Sequence, residues 1–337
     1  MELQLKNIGM IKEAKVKIDG LTVIAGENDT GKSTLGKVLY GLIQSISWAS
    51  NTSPQQDSNY KNQFTKQINN IFNQQLSNNG EIKFYYEGVS FKYKIINNSC
   101  SEFSLSQEFH NTYPKIGRPL LIETPFIWTI HPLLKTIRNL KAHDVINDID
   151  FEIVPTSKDL YFALTTKRRE ERSFNFNIES IIGGKFEEDN LSGFIFNKGG
   201  EKIKLLNTAM GIKYFGLIQV LENNNYLYNG QVLILDEPEV HLHPKWQLKL
   251  AEIIVELVKN DINILVNSHS PYMIEALQRY SQLEKINSDF YLAEDGYIKK
   301  ENDSNAETLE KIFEKLSEPF DVFEEMDSQS MEKLING

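Results

Sequence analysis

The chain has 337 residues, of which 40% are hydrophobic, so it can form one large domain or two smaller ones with a real core. Its formal net charge is −10, which argues against bulk attraction to nucleic acid or an anionic membrane, although a local basic patch could still bind either. The single cysteine, Cys100, excludes an internal disulfide and a cysteine-based zinc site. No stretch reaches about eighteen apolar residues, so no membrane span is expected.

The first elements of the chain are predicted to be strands. The charged, alternating start lacks the apolar centre of a signal peptide, and with the single cysteine this favours a reducing cytoplasm. Antiparallel strands are expected at residues 2–5, 14–18 and 21–25, with a tight hairpin at Asp19 and Gly20 joining the last two. A helix is expected from about residue 31 to residue 47.

Between that last strand and that helix, the chain reads GENDTGKST, the pattern of a phosphate-binding loop. Backbone N–H groups of the loop are expected to surround the phosphates of a nucleotide triphosphate. Lys32 would reach the β- and γ-phosphates, and the Ser33 hydroxyl would hold Mg²⁺. A glycine-containing turn with an incidental lysine is the alternative. The predicted nucleotide-binding residues are Gly26, Glu27, Asn28, Asp29, Thr30, Gly31, Lys32, Ser33 and Thr34.

The middle of the chain, residues 51–189, is predicted to be an inserted lateral region of strands and helices. It separates the two parts of the nucleotide core, 1–50 and 190–300, and is too long to be one connection. Residues 51–80 favour a solvated helix with loops, strands are expected at 82–86, 89–95 and 120–123, and a helix at 130–140. Residues 98–113 are left unassigned. Residues 301–337 predict a C-terminal helix, at 306–316, and an acidic tail.

Glu123 ends the apolar run at 120–122, where a strand leads into the lateral region. It could link Mg²⁺ to that region. A carboxylate that only caps the strand is the alternative.

Two carboxylates follow a second apolar run, VLIL at 232–235, which is typical of a buried strand in a parallel sheet. Asp236, at the tip of this strand, is the expected partner of Mg²⁺. Glu237 can orient and deprotonate an attacking water. Two acids that cap a surface strand are the alternative, but the phosphate-loop pattern favours the functional interpretation.

A histidine follows the strand predicted at 261–267, in the sequence SHSP. His269 can contact the γ-phosphate and the attacking water, whereas a turn histidine before a proline is the alternative. All three groups fall at carboxyl ends of predicted strands, where open α/β sheets bind ligands. Helices are expected at 209–221 and from Pro244 onward, and a hairpin at 290–299.

These residues together resemble the ABC-type ATPases, in particular the OLD (overcoming lysogenisation defect) family and its RecF- and SMC-like relatives. The most specific runs are LILDEPEVHLHPKWQLKLAEIIVEL at 233–257 and VNSHSPYMIEAL at 266–277, and residues 5–34 are similar to the first strands and phosphate loop of that group. The resemblance implies an α/β P-loop NTPase fold of ABC-ATPase type, with an antiparallel N-terminal β-subdomain and an inserted, largely helical lateral subdomain. It implies ATP and Mg²⁺ as cofactors, Asp236 as the metal-supporting residue, Glu237 as the catalytic carboxylate and His269 as the switch histidine.

The resemblance also implies a homodimer or higher homo-oligomer that encloses two nucleotides, with segment 239–244 crossing the interface. Each site would be completed by a signature segment from the opposite subunit, which usually carries Ser-x-Gly or Ser-Gly at a helix start. The best candidate here is NTAMG, with Asn207, Thr208, Met210 and Gly211. Gly211 matches, but Met210 stands where a serine is common, which predicts slow hydrolysis unless Asn207 or Thr208 supplies the polar contact. An ordinary helix start capped by Asn207 or Thr208 is the alternative.

OLD proteins carry a Toprim-type nuclease domain after the ATPase, and the roughly seventy residues after His269 are too few for one. The effector, a nuclease or toxin, is therefore expected to be a separate protein, by family analogy in bacterial antiviral defence or a toxin–antitoxin-like system. A RecF-like DNA-binding repair ATPase and a nucleotide-gated scaffold with slow hydrolysis are the alternatives.

Two further patterns leave alternatives open. The basic clusters at 135–141 and 167–172 could contact DNA, or they could be solvated faces paired with nearby acids. His241 and His243, with Glu239 nearby, could ligate zinc, but packing in the interface loop is the favoured interpretation.

Overall fold

The computed structural model describes residues 1–50, 57–73, 76–77, 79–97, 99–106, 116–123, 125–142, 154–169, 174, 176–189 and 193–336. Its strands are β1 (Glu2–Ile8), β2 (Ile11–Lys17), β3 (Leu21–Ala25), β4 (Asn79–Tyr86), β5 (Val89–Ile96), β6 (Ser99–Leu105), β7 (Leu120–Ile122), β8 (Lys185–Asp189), β9 (Gly193–Lys198), β10 (Glu201–Lys204), β11 (Val232–Asp236), β12 (Asn263–Ser268), β13 (Ser288–Glu294) and β14 (Tyr297–Lys299). Its helices are α1 (Lys32–Ser50), α2 (Asp57–Phe72), α3 (Ile127–Ala142), α4 (Pro155–Thr165), α5 (Ile178–Ile182), α6 (Met210–Asn223), α7 (Pro244–Lys259), α8 (Pro271–Leu283) and α9 (Asn305–Asn336).

Eleven of the described strands form one sheet, in the order β6-β5-β4-β1-β2-β14-β13-β3-β12-β11-β7. Strands β7, β11, β12, β3 and β13 run parallel to their neighbours in this series. At the other end, β2, β1, β4, β5 and β6 pair antiparallel. A second sheet has the order β10-β9-β8. The fold is thus α/β with a parallel half and an antiparallel half.

The parallel strands are buried on both faces, as their continuous apolar sequences predict. In β3, Leu21, Val23 and Ala25 belong to the hydrophobic core that also includes α6, α7 and α8. Ile24 points the other way, into the core formed with α1, α2 and the antiparallel strands. The sheet therefore separates two hydrophobic cores, and packing on both faces holds the ends of its central strands in place.

The predicted hairpin at Asp19 and Gly20 is wrong. Strand β2 instead forms a hairpin with β1 and lies parallel to β14, while β3 crosses to the centre of the sheet, between β12 and β13. All five residues of β3 are buried, whereas the charged residues of β2 are exposed. A strand that is apolar on both faces belongs at the sheet centre, so burial outweighed the local turn signal.

Other elements follow the predictions or extend them. Helix α2 buries Phe64 and Ile68 as its periodicity indicated, and β13 and β14 form the predicted hairpin. Strand β6 lies within the segment left unassigned, because its serine-rich edge position needs little apolar patterning; residues 107–113 of that segment lie outside the described residues. Helix α9 continues to Asn336, through the predicted acidic tail.

The predicted lateral region contributes to the main sheet, since β4 pairs with β1 and β7 pairs with β11. The proposed division into core and lateral region remains a prediction. No described helix combines the length and the apolarity that a membrane crossing requires.

Candidate nucleotide-binding site

The register of the parallel strands brings the predicted site residues to one edge of the sheet. Ser268 at the end of β12 pairs with Ala25 at the end of β3, and Asn267 pairs with Asp236 at the end of β11. Ile122, at the end of β7, pairs with Leu235. The phosphate loop, the two carboxylates, His269 and Glu123 therefore all leave the sheet at its carboxyl edge, where ligands bind in open α/β folds.

Lys32 is the first residue of α1 and is only 4% exposed. Its Nζ donates hydrogen bonds to two carbonyls of its own loop, Gly26 O at 2.9 Å and Glu27 O at 2.5 Å. Burial lowers the pKa of Lys32, and the negative charges of Glu237 and Asp236 partly oppose that shift. The site therefore holds a desolvated ammonium group beside carboxylates, which is the electrostatic setting that favours a phosphate together with a cation.

The backbone of the phosphate loop requires glycine at Gly31. Its φ is +96°, and a Cβ there would lie 2.6 Å from Cγ1 of Ile11. Asp29 also has a positive φ of 63°, and the Thr30 hydroxyl donates to Glu27 O at 2.9 Å. The loop thus folds tightly onto the β1–β2 hairpin and leads directly into α1, whose first N–H groups have no partner within the helix. Ser33 is the second residue of that helix, where its hydroxyl can face a bound phosphate.

Asp236 is 8% exposed, and one of its oxygens, Oδ1, accepts a hydrogen bond from Nδ2 of Asn267 at 2.7 Å. Glu237 follows with a φ of +50°, a strained conformation for a residue with a side chain, and its N–H donates to Asn267 O at 2.9 Å. Asn267 therefore holds both carboxylate residues. In the sequence, the position of Asn267 at the end of a predicted strand was the one signal that could have singled it out.

His269 lies beside both glutamates of the DEPE segment. Its Nδ1 is 3.5 Å from Oε1 of Glu237 and 3.6 Å from Oε1 of Glu239, longer than a normal hydrogen bond. This buried nitrogen has no hydrogen-bond partner among the described residues. The His269 side chain as a whole is 39% exposed and that of Glu237 is 33% exposed, so both can reach a ligand at the edge.

Glu239 points inward and not toward solvent, with 4% of its surface exposed. Its Oε1 accepts three hydrogen bonds, from Ser268 Oγ at 2.7 Å, His269 N at 2.9 Å and Ser270 N at 3.2 Å. The turn that carries His269 is thus attached to the segment that follows β11.

Gln247, on α7, makes a second attachment between the same two segments. Its Oε1 accepts from Ser270 Oγ at 2.6 Å, and its Nε2 donates to Leu242 O at 3.0 Å. Sequence reasoning passed over Gln247, although a glutamine buried beside the apolar stripe of α7 was a usable signal. Tyr214, on α6, was also missed: its buried hydroxyl has no partner among the described residues, and burial, with the charges of Glu239 and Asp236, raises its pKa.

The candidate signature segment begins α6 with no side-chain cap. The N-cap residue is Ala209, and Met210 is the first helical residue. The Thr208 hydroxyl donates backward to Lys204 O at 3.2 Å, and Asn207 is exposed. The alternative of an ordinary helix start capped by Asn207 or Thr208 is therefore wrong, and the first N–H groups of α6 remain open to an external acceptor.

Gly211 packs α6 against the segment after β11. A Cβ there would lie 3.1 Å from both Leu242 Cδ2 and Trp246 Cζ3. Among the described residues, no hydrogen bond or ion pair links the signature segment to the phosphate loop of the same chain.

Glu123 forms an ion pair with Lys37, Nζ to Oε1 at 2.7 Å, at the edge of the site. His243 is the N-cap of α7 and accepts from Lys245 N through Nδ1. No group of three or more His, Cys, Asp or Glu that could hold a metal occurs in the described part of the chain.

The basic clusters are described only in part, since residues 143–153 and 170–173 and the side chains from 138 onward in α3 lie outside the described residues. Within the second cluster, the guanidinium of Arg168 stacks on the ring of Tyr228, 3.7 Å from its centroid. This stacking places the cation against a protein ring and leaves its charge in place.

Comparison with known proteins places the fold. The sequence model of a family described as "AAA domain, putative AbiEii toxin, Type IV TA system" matches residues 110–275, a range that includes Asp236, Glu237 and His269. A curated relative, the Septu protein PtuA of Bacillus thuringiensis, is 41% identical over 49 residues, which is 14% of this chain and 12% of PtuA. The chain therefore matches only a small part of that relative's length.

Two solved structures are similar in fold. An SMC head crystallised with the C-terminal winged-helix domain of ScpA has a TM-score of 0.52 and 16% identity, over 88% of this chain and 95% of that chain. A nucleotide-free ATP-binding cassette from an ABC transporter has a TM-score of 0.41 and 14% identity, over 92% of this chain and 96% of that chain. The chain therefore has the α/β fold of the SMC head, a fold of the P-loop NTPase type.

Proposed function

We propose that this protein binds ATP with Mg²⁺ and hydrolyses it, acting as an ATP-gated dimer that controls a separate effector. The observation that carries this proposal is the convergence of Lys32, Asp236, Glu237 and His269 at one sheet edge. A phosphate loop, a metal-supporting aspartate, a catalytic carboxylate and a polar sensor are the parts that phosphoryl transfer to water requires.

The donor set fits Mg²⁺. The Ser33 hydroxyl and the Asp236 carboxylate offer hard oxygen atoms. Oδ1 of Asp236 accepts a hydrogen bond from Asn267, which leaves the other carboxylate oxygen to face the metal. A magnesium bound to nucleotide takes most of its ligands from phosphates and water, so a larger cluster of protein carboxylates is not needed. When bound, Mg²⁺ supplies charge neutralisation at the phosphates. Glu123, held by Lys37, is proposed to face the same site from β7.

Each residue has a defined task in this proposal. Lys32 exchanges its two loop carbonyls for phosphate oxygens, which relieves an ammonium now satisfied only by its own backbone. Glu237 accepts a proton from the attacking water. Because Nδ1 of His269 faces the two carboxylates, Nε2 is the nitrogen left for the γ-phosphate.

Dimerisation is supported by the uncapped start of α6. Its free N–H groups suit a phosphate presented by a second copy, and Leu206, next to them, is 84% exposed. We therefore propose that Asn207, Thr208, Met210 and Gly211 complete the site of the opposite subunit. Segment 239–244 is proposed to cross the interface. The fold is shared with an SMC head that was crystallised with another protein's domain, which supports a role in assembly.

The biological setting proposed is antiviral defence or a toxin–antitoxin-like system. The matched family's description names a putative AbiEii toxin and a type IV system, and the partial relative is a Septu protein. An OLD-like ATPase with a separate nuclease or toxin partner agrees with both. A DNA-clamping role has less support, because a net charge of −10 gives no bulk attraction to a polyanion.

A nucleotide-gated scaffold with slow hydrolysis is the second candidate. Met210 favours it, since a thioether cannot donate the hydrogen bond that a serine would offer to a phosphate. The two candidates differ only in turnover, so the same experiment separates them.

The test is Glu237→Gln, compared with wild type and with Glu252→Gln, an exposed carboxylate on α7 that pairs with Lys249. We expect Glu237→Gln to bind ATP normally, to lose hydrolysis by about 100-fold or more, and to elute as a dimer in ATP and Mg²⁺. Glu252→Gln should match wild type in all three. Mass spectrometry of proteins that co-purify with trapped Glu237→Gln then identifies the effector. Normal turnover by Glu237→Gln removes this residue from the catalytic role, and a wild-type protein that binds no ATP refutes the proposed function.

A further inference from the structure

We propose that Glu239 is a positioning residue for hydrolysis: its buried carboxylate fixes the turn that carries His269, so that the imidazole meets the γ-phosphate in line with Glu237. This inference rests on the proposed ATPase function. It adds the third carboxylate of the DEPE segment to the machinery, one that acts through His269 and does not touch nucleotide.

The contacts of Glu239 are concentrated on one turn. Its Oε1 accepts from the hydroxyl of Ser268, from the backbone of His269 and from the backbone of Ser270, all within 3.2 Å. Three donors on one oxygen, in a site that is 4% exposed, restrict the turn in position and in orientation. The residue that carries the imidazole is thus attached through its own N–H.

The restriction matters because His269 has little else to hold its ring. Its buried Nδ1 has no hydrogen-bond partner among the described residues and lies 3.5 Å from Glu237 and 3.6 Å from Glu239. The ring orientation therefore depends on where the backbone of residue 269 is placed. A displacement of about 1 Å at a reacting centre can lower a rate about 100-fold, so the backbone attachment bears directly on turnover.

A simpler role for Glu239 is to cap the start of α8, since the N–H groups of His269 and Ser270 precede that helix. However, Ser270 is already the N-cap, and its hydroxyl accepts from Met273 N. The bond from Ser268, a strand residue, is also not required by a helix cap. These two contacts favour the role in placing His269.

The same segment continues to the signature helix. Leu242 and Trp246, which follow Glu239, pack against Gly211, and the rings of Trp246 and Phe215 meet edge to face with centroids 5.5 Å apart. Gln247 joins Leu242 to Ser270. A shift of α6 on binding the partner's nucleotide would therefore be passed through segment 239–247 to the turn of His269.

The experiment compares wild type with Glu239→Gln, Ser268→Ala and the exposed control Glu252→Gln. The glutamine has nearly the same shape, but it replaces an anionic acceptor with a neutral one and adds two donors to a buried site. ATP affinity, kcat and KM are measured for each, and hydrogen exchange of the His269 and Ser270 amides is measured in the absence of nucleotide.

We expect Glu239→Gln to bind ATP within about threefold of wild type, to lose about 10- to 100-fold in kcat with little change in KM, and to exchange both amides faster. Ser268→Ala, which removes one of three donors, should lose about three- to tenfold in kcat. The control should be unchanged.

Turnover at the wild-type rate by a folded Glu239→Gln overturns the proposal. An equal loss of ATP affinity and kcat also overturns it, because that pattern indicates a structural role only. Should Glu239→Gln fail to fold, Ser268→Ala decides: an unchanged kcat refutes the positioning role. A wild-type protein without ATP binding or turnover refutes instead the proposed function on which the inference rests.

Discussion

Replacing Lys32 with methionine tests the phosphate loop through both binding and stability. Lys32→Met keeps the length of the side chain but removes the ammonium that donates to Gly26 O and Glu27 O. Glu27 O keeps the hydroxyl of Thr30 as a donor, so Gly26 O alone is left unpaired, at a cost of about 1–3 kcal/mol. The burial that lowers the pKa of Lys32 no longer carries a cost, and the methionine side chain restores apolar contact, so we expect a net loss of about 1 kcal/mol in the nucleotide-free protein.

Binding should change more than stability does. Without its ammonium, the loop faces a triphosphate beside Asp236 and Glu237 with no positive side chain, and we expect the Kd for ATP to rise at least about 100-fold. Urea unfolding without nucleotide and titration with a fluorescent ATP analogue measure the two effects. The control is Lys249→Met on α7, whose exposed ion pair with Glu252 should contribute less than about 1 kcal/mol and nothing to binding. ATP binding within about threefold of wild type by Lys32→Met would contradict the phosphate-loop assignment.

Three further substitutions test separate features. Met210→Ser should raise ATP turnover about three- to tenfold, the worth of one neutral hydrogen bond, and an unchanged rate counts against the signature assignment. Burial lowers the pKa of His131 from 6.5 to about 4, so the folded state resists protonation of this imidazole. The free energy of unfolding should therefore fall as the pH drops from 6.5 to 4, by about 3 kcal/mol over the whole window. His131→Phe should remove that loss in urea unfolding at several pH values, while His241→Asn, at an exposed histidine, should not. Burial raises the pKa of Glu222 from 4.5 to about 7, so stability falls as pH rises through that window. Glu222→Gln should therefore be the more stable protein at pH 8, by about 1–2 kcal/mol after solvent screening, and equal to wild type at pH 4; a gain of the same size at both pH values would contradict this reasoning.

The convergence of the site could be predicted because it depends on features that are local in sequence. Glycines, a lysine and a serine at fixed spacing follow one apolar run, and the acidic pair and the histidine each follow another. In a parallel sheet the ends of such runs meet at one edge whatever the order of the strands, so their meeting required no knowledge of topology. The same apolar runs therefore predicted both the strands and the edge of the sheet at which the polar residues meet.

The pairing of β3 could not be read in the same way. Its partners, β12 and β13, lie more than two hundred residues later in the chain, whereas the turn signal at Asp19 and Gly20 is adjacent. In the structure, the N–H of Gly20 donates to Oδ1 of Asn263, the first residue of β12, and not across a hairpin. Local turn chemistry and long-range burial competed, and burial on both faces decided the outcome.

The inward direction of Glu239 was equally hidden. The sequence places it two residues after Glu237, in a loop where an acid would ordinarily face solvent, and the resemblance assigned the segment to a dimer interface. Only the three donors of the turn at 268–270 explain why a carboxylate is buried there. Such a role depends on the relative placement of two loops from different strands, which no pattern within either loop encodes.

The two parts of the proposed site are held by different means, and this difference bears on how the protein would work. Asp236, Asn267 and Ser268 are fixed to Ala25 by the register of a buried sheet, so the phosphate-binding part is preformed within one chain. The start of α6 has no cap and no described bond to that part, so its N–H groups need an acceptor from elsewhere. If that acceptor is the nucleotide of a second copy, ATP binding stabilises the closed pair by satisfying groups that the separate chain leaves open, and only this difference in contacts can make closure depend on ATP. Under the proposed function, hydrolysis at Glu237 would then weaken the same contacts, with Glu239 holding the turn of His269 until the chemistry is complete.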